Sequence, residues 1–271
     1  MNELINKHSK EIVNKLGKNL ESLILVGSYS REEEIEGLSD IEFWAVVKNL
    51  GRAKKPALDS NVSLGFTTRS HLRRLKPYIY TIEVKKFGKV LHGEKNILSL
   101  IPDYSYGDID PIDGVILLNN RLVERLILLD KIENNQKINQ YDFDKGYIQL
   151  VNSLLVLNKK YRSIYPEKLE EFRKLNINNV SLKNKIEGAF ASIKQPSKLP
   201  VNKNEALVKW LELREYFRNI WLEEKRLLRR LIFKPLHFFI YRKASNIYFS
   251  DKYKNKQLRD SVIANWERFI K

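Results

Sequence analysis

The chain has no cysteine among its 271 residues. That excludes disulfides and thiolate-ligated metal sites alike. It also lacks any apolar run approaching the ~20 residues that a membrane-spanning helix needs. Its opening stretch, MNELINKHSK, carries none of the apolar core of a secretory signal, so the expected location is cytoplasmic. No internal repeat and no low-complexity tract interrupts it. What is present, 43% hydrophobic and 30% charged residues, fits a globular protein long enough for one large domain or two ordinary ones.

Charge is unevenly placed. The net value is +16, yet residues 1–113 hold 17 basic and 16 acidic side chains, while residues 114–271 hold 32 and 17. A basic C-terminal half suits a polyanionic partner such as a nucleoside triphosphate or nucleic acid. A lysine-rich composition with a solvated basic surface would read the same way.

The most informative stretch is Leu23 to Val47, LILVGSYSREEEIEGLSDIEFWAVV. An apolar run, Leu23 to Val26, is short enough for a buried strand, and Gly27-Ser28 follows at once. After an acidic segment come Ser39-Asp40-Ile41-Glu42 and a second apolar run. In Asp40-Ile41-Glu42 the two-residue strand period turns both carboxylates to one face, with Ile41 and Phe43 on the other. Adjacent carboxylates repel unless a cation or partner sits between them, and oxygen-only ligation suits Mg²⁺ or Mn²⁺. The Gly27-Ser28 turn offers backbone N–H groups and a hydroxyl to a phosphate.

Gly27-Ser28, ten intervening residues and Ser39-Asp40-Ile41-Glu42 together resemble the signature of the DNA polymerase β-like nucleotidyltransferase superfamily, closest to its kanamycin and minimal nucleotidyltransferase branch. Arg31 and Gly37 also sit where those enzymes have Arg and Gly. Lys89-Val90-Leu91-His92-Gly93 resembles the short element that closes the minimal domain, so the likeness spans about seventy residues. The resemblance implies an α/β (α+β) fold with a small mixed sheet. It implies transfer of a nucleoside monophosphate, AMP favoured, from a nucleoside triphosphate to an acceptor hydroxyl with release of pyrophosphate. Two magnesium or manganese ions would be held by Asp40, Glu42 and a third carboxylate, while Gly27, Ser28, Arg31 and Ser39 would bind the nucleotide.

The third carboxylate is less plain. Relatives carry it on the strand after the acid pair, where this chain has Ser63. Glu83 is the next candidate, although its surroundings read as helix and pairing with a nearby base would occupy it equally well. Glu124, near the start of the C-terminal half, is a weaker candidate for the general base. Lys145, with Tyr161 and Tyr165-Pro166-Glu167, loosely resembles the helical domains attached to such transferases.

Patterning supplies the rest. Residues 2–17 read as a helix with His8 on its apolar stripe, packed rather than ligating. Strands are expected at 22–26, 40–48 and 61–67, and a helix at 68–87 that Pro77 kinks or splits. Residues 101–114, with two prolines, two glycines and four aspartates, read as a linker. Beyond them every strong pattern is helical: 113–132, 142–164, 166–175, 181–193, 204–233, 236–248 and 256–270. The expected organisation is therefore a nucleotidyltransferase domain over 1–112 and an all-α bundle over 113–271.

Trp210, Leu213, Phe217, Ile220, Trp221 and Leu228 follow helical spacing as core. Arg214, Arg218, Lys225, Arg226, Arg229 and Arg230 flank them, where they could track a phosphate backbone or simply reach solvent. Phe238, Phe239 and Tyr241 beside Arg242 and Lys243 could touch a membrane surface. The acceptor is more consistent with a small molecule than with nucleic acid. A homodimer is open, as is a catalytically weak relative acting as an antitoxin-like or nucleic-acid-binding protein.

Overall fold

The computed structural model describes residues 3–35, 37–193, 195–197, 200–224 and 235–270. The chain divides into two compact units, residues 1–109 and 110–271.

The first unit opens with helix α1, Glu3–Leu16. Its buried stripe of Ile5, His8, Ile12 and Leu16 follows the helical repeat, and Gly17 at φ +47° ends it. Strand β1, Leu20–Val26, runs straight into the short helix α2, Gly27–Arg31. Strands β2, Ile41–Val47, and β3, Val62–Thr67, follow. Helices α3, Arg69–Leu72, and α4, Ile79–Phe87, occupy the stretch read as one helix. Pro77 splits it rather than kinking it, because the ring bars the residue before it from helical geometry. Strand β4 is Lys89–Gly93.

The sheet order is β3-β2-β1-β4. Strand β1 lies antiparallel to both β2 and β4, and β2 lies parallel to β3, so the sheet is mixed as expected. Ile41, Phe43, Ala45 and Val47 pack with α1 residues on one face. Ile24, Val26, Trp44 and Val46 pack with Leu72 and Val84 on the other. His8 is 1% exposed, its ring nitrogens set 2.7 Å from Glu11 and 3.0 Å from Asp59. The packed reading of this histidine holds.

The second unit is helical. Helix α5, Pro111–Glu133, begins inside the stretch read as linker: Asp110 caps it by accepting from Ile112 N–H at 3.0 Å, and Pro111 occupies the first turn. Helix α6, Gln140–Leu157, starts on a reciprocal Asn139–Asp142 box. It stops well short of residue 164, with Lys159 in a left-handed conformation at φ 55°. Tyr165 therefore opens the next helix instead of closing this one. Helices α7, Tyr165–Arg173; α8, Val180–Ser192; α9, Lys203–Glu224; α10, Pro235–Tyr248; and α11, Lys256–Ile270, complete the described elements.

Trp210, Leu213 and Phe217 are fully buried and Ile220 nearly so, as core. Arg214 turns inward, donating to Tyr248 O at 2.7 Å and lying over the Tyr253 ring. Lys225, Arg226, Leu228, Arg229 and Arg230, and the side chains of Trp221, Phe238, Phe239 and Tyr241, lie outside what is described. Among the described residues no helix is long and apolar enough to cross a membrane.

Arg259 fastens α11 to α5. It is 0% exposed and pairs with Asp130 at 2.6 Å and with Glu133. Arg259→Met keeps the bulk but leaves two carboxylates without their cation. Such a change should lower the unfolding free energy by roughly 3 kcal/mol or more in urea titrations. A loss below about 1 kcal/mol would place the pair with surface bridges.

Candidate active site

The end of β1 and the start of β2 lie side by side, with Val26 opposite Glu42. The chain turns immediately after Val26 through Gly27, at φ +73°, a region that L side chains rarely adopt. A Cβ at Gly27 would stand 1.9 Å from Glu42 Oε2. The carboxylate therefore fills the space that a side chain would need. Ser28, half-buried, follows in α2. Ser30 Oγ donates to Gly27 O at 2.8 Å, and the turn ends at Glu32, φ 59°.

Asp40 is exposed just before β2, two residues from Glu42, so the strand period carries both toward the Trp44 and Val46 side of the sheet. Ser39 works within its own loop. Its hydroxyl accepts from Ile35 N–H at 2.8 Å and its N–H donates to Ile35 O at 2.9 Å. In the parallel register Ser63 stands opposite Glu42, and it carries no carboxylate.

Helix α4 delivers Glu83 to the α2 turn. Arg31 donates to Glu83 Oε2 at 2.8 Å and to Glu33 Oε2 at 3.1 Å. All three side chains are at most 15% exposed. Glu83 is thus paired with a base, though that base lies on another element rather than on its own helix. Among the described residues no three His, Asp or Glu side chains converge as a metal-binding group.

Tyr80, one turn ahead of Glu83, is a residue the sequence did not single out. Its ring meets Trp44 edge-on at 5.2 Å. The residue is 43% exposed overall, yet desolvation of its hydroxyl against the sheet, reinforced by the carboxylates of Glu42 and Glu83, holds the phenol above the ordinary tyrosine range. Tyr80 thus packs on the Trp44 face of the sheet from the helix that also carries Glu83. The available signal was the three-residue spacing in Tyr80-Thr81-Ile82-Glu83, usable once the helix start at Ile79 is known.

In the second unit Glu124 on α5 and Lys145 on α6 are brought into electrostatic contact. Burial opposes ionisation of Glu124. Arg121, Arg125 and Lys145 outweigh that opposition and hold its carboxyl below the usual range. It pairs with Arg121 and accepts from Gln149 Nε2 at 3.0 Å. A carboxylate held low and already bonded accepts a proton weakly, so its chemistry suits holding a partner better than general-base work.

No protein-family model matches the chain, and no curated protein matches it. Among solved structures it is similar to a spectinomycin adenyltransferase from Enterococcus faecialis, solved with ATP and spectinomycin. The match has 17% identity over 71% of this chain and 99% of that one, with a TM-score of 0.35. So loose a likeness transfers no residue roles, and the functional reading rests on the geometry of Gly27, Glu42, Arg31 and Glu83.

Arg31→Met removes the cation that Glu33 and Glu83 share. It should cost about 1.5–3 kcal/mol of stability, the scale of hydrogen bonds to charged groups. Adding Glu83→Gln should recover part of that loss. A double-mutant cycle that is additive within experimental error would break the assignment.

Proposed function

We propose that the first unit is a nucleotidyltransferase. It would transfer a nucleoside monophosphate, AMP favoured, from a nucleoside triphosphate to the hydroxyl of an acceptor, a small molecule in preference to nucleic acid. The acceptor oxygen bonds to the α-phosphorus, the bond from that phosphorus to the bridging oxygen breaks, and pyrophosphate leaves. The hydroxyl proton passes to a general base or to solvent. One observation carries the reading: a carboxylate, Glu42, seated against the Cα of a positive-φ glycine that opens a Gly-Ser turn.

That arrangement supports phosphate binding and charge neutralisation at one spot. Without a Cβ, Gly27 lets a phosphate oxygen approach its backbone N–H, and the Ser28 hydroxyl can donate to the same group. Asp40 and Glu42 fit a magnesium-type ion, since such ions take one or two carboxylates and complete their shell with phosphate oxygens and water. When bound, the ion would neutralise charge on the triphosphate. A second ion would need a further carboxylate, and here Ser63 stands opposite Glu42 while Glu83 is engaged by Arg31. Arg31, held by Glu33 and Glu83, acts in this reading by fixing the α2 turn beside α4.

That same Arg31–Glu83 pair favours a second reading, a relative with weak or no turnover that binds nucleotide without transferring it. Incubation with labelled ATP, Mg²⁺ and a cell extract, followed by mass spectrometry, separates the two. Adenylylated product, absent in Asp40→Asn and Glu42→Gln, supports the transferase. Nucleotide binding without product supports the second reading.

In the transferase, Asp40→Asn and Glu42→Gln should each lower turnover by a factor of roughly a hundred or more, about 2.7 kcal/mol in barrier height, with little loss of stability. Ser28→Ala should weaken a non-hydrolysable ATP analogue by about 1–2 kcal/mol in calorimetric titrations with Mg²⁺. Turnover within a few-fold of wild type in either acid variant would sink the proposal.

A further inference from the structure

A cavity of about 300 Å³ opens between α6, α8 and α9, wholly inside the second unit. Its deep wall includes Phe143, Asp144, Tyr147 and Ala189, all buried, while Asn184, Lys185 and Gly188 stand at the exposed edge. The volume sits at the small end of ligand sites.

Asp144 is the unusual member. It is 6% exposed, and its two oxygens accept from neutral donors, Gln140 Nε2 at 2.8 Å and Ser192 Oγ at 2.8 Å. Among the described residues no Lys, Arg or His nitrogen is paired with it. Of the two lysines lining the cavity, Lys185 pairs with Glu212 at 3.0 Å, and Lys209 pairs with Glu205 at 2.7 Å and donates to Gln140 Oε1 at 2.5 Å, reaching Asp144 only through that amide. Asp144 is thus the one acid lining the cavity, with no direct cationic partner among the described residues, within the half of the chain that carries most of its positive charge. A buried carboxylate without a cation is costly, and two of the roughly four acceptor positions of Asp144 are still unused.

We propose that this cavity binds a small organic cation, whose ammonium group pairs with Asp144 while its body rests on Phe143 and Tyr147. The ammonium supplies the charge that Asp144 lacks and donors for its remaining lone pairs, and aromatic walls favour cations over neutral molecules of the same shape. Burial, with Glu212, Tyr216 and Asp144 nearby, raises the Tyr147 phenol above its ordinary range, so this wall stays neutral and adds no competing charge. The site stands whether or not the first unit transfers nucleotides.

Tyramine and tyrosol test it, because they share a ring and chain and differ by an ammonium in place of a hydroxyl. Calorimetry or saturation-transfer NMR on the full chain should show tyramine binding at millimolar concentration and tyrosol at least about tenfold more weakly. Asp144→Asn, which keeps the side-chain shape, should erase that preference. Gly188→Leu offers a second variant: a Cβ there meets nothing within 4 Å, and leaving glycine favours the helix. It should fold at least as stably and lose tyramine by obstructing the mouth. The proposal is overturned by no tyramine binding in the wild type, by equal binding of the two probes, or by a preference that survives in folded Asp144→Asn. If Asp144→Asn does not fold, wild-type tyramine affinity in Gly188→Leu overturns it.

Discussion

Antiparallel pairing of β1 and β2 brings Val26 opposite Glu42, and everything at the candidate active site depends on that register. The turn must leave β1 at the level where the Glu42 carboxylate projects. A residue with a Cβ would put an atom 1.9 Å from Glu42 Oε2, so the carboxylate would have to swing out of its seat. The conformational demand agrees with the steric one, because Gly27 also adopts a positive φ. A shift of one residue in the pairing would send Glu42 to the α1 face and Ile41 out of the core. The apolar alternation of β2 is what prevents that slip: Ile41, Phe43, Ala45 and Val47 are each at most 2% exposed on the α1 side.

Around this register the remaining polar groups are arranged by tertiary packing. Helix α4 lies on the Trp44 face, and its approach brings Glu83 to Arg31 and Tyr80 to Trp44. The result is one guanidinium shared by Glu33 and Glu83, and among the described residues no three carboxylates converge on a metal. That difference matters chemically. Two acids beside a phosphate-accepting turn can hold one ion together with a triphosphate, whereas a carboxylate bonded to arginine must first lose that partner to become a ligand.

In the second unit some of the basic residues serve the interior. Two arginines of the second unit are internal braces, of which only Arg214 belongs to the face that could have tracked a phosphate backbone. Arg259 joins Asp130 and Glu133, and Arg214 reaches Tyr248 and stacks on Tyr253. A guanidinium can do this because its planar fork satisfies several acceptors at once. Asp144 presents the opposite case, a buried acid in a basic unit with neutral donors only.

By itself the sequence determined three of the four strands, most of the helices of the second unit, the two-faced pattern of β2 and the Gly27-Ser28 and Asp40-Glu42 elements. Each of these is written in a local period or in a residue type that a turn requires. Local signals also carried errors where several devices compete. Asp110-Pro111 reads as linker but caps a helix, and the stop of α6 near Lys159 lacks the usual glycine. Only the tertiary structure decided that Glu83 meets Arg31, that Tyr80 packs on Trp44, and that Asp144 faces a cavity without a direct cationic partner among the described residues. Those pairings join residues of different elements, up to 52 positions apart in the case of Arg31 and Glu83. No local period encodes such contacts; they follow from how α4 packs on the sheet and how α6, α8 and α9 pack on one another.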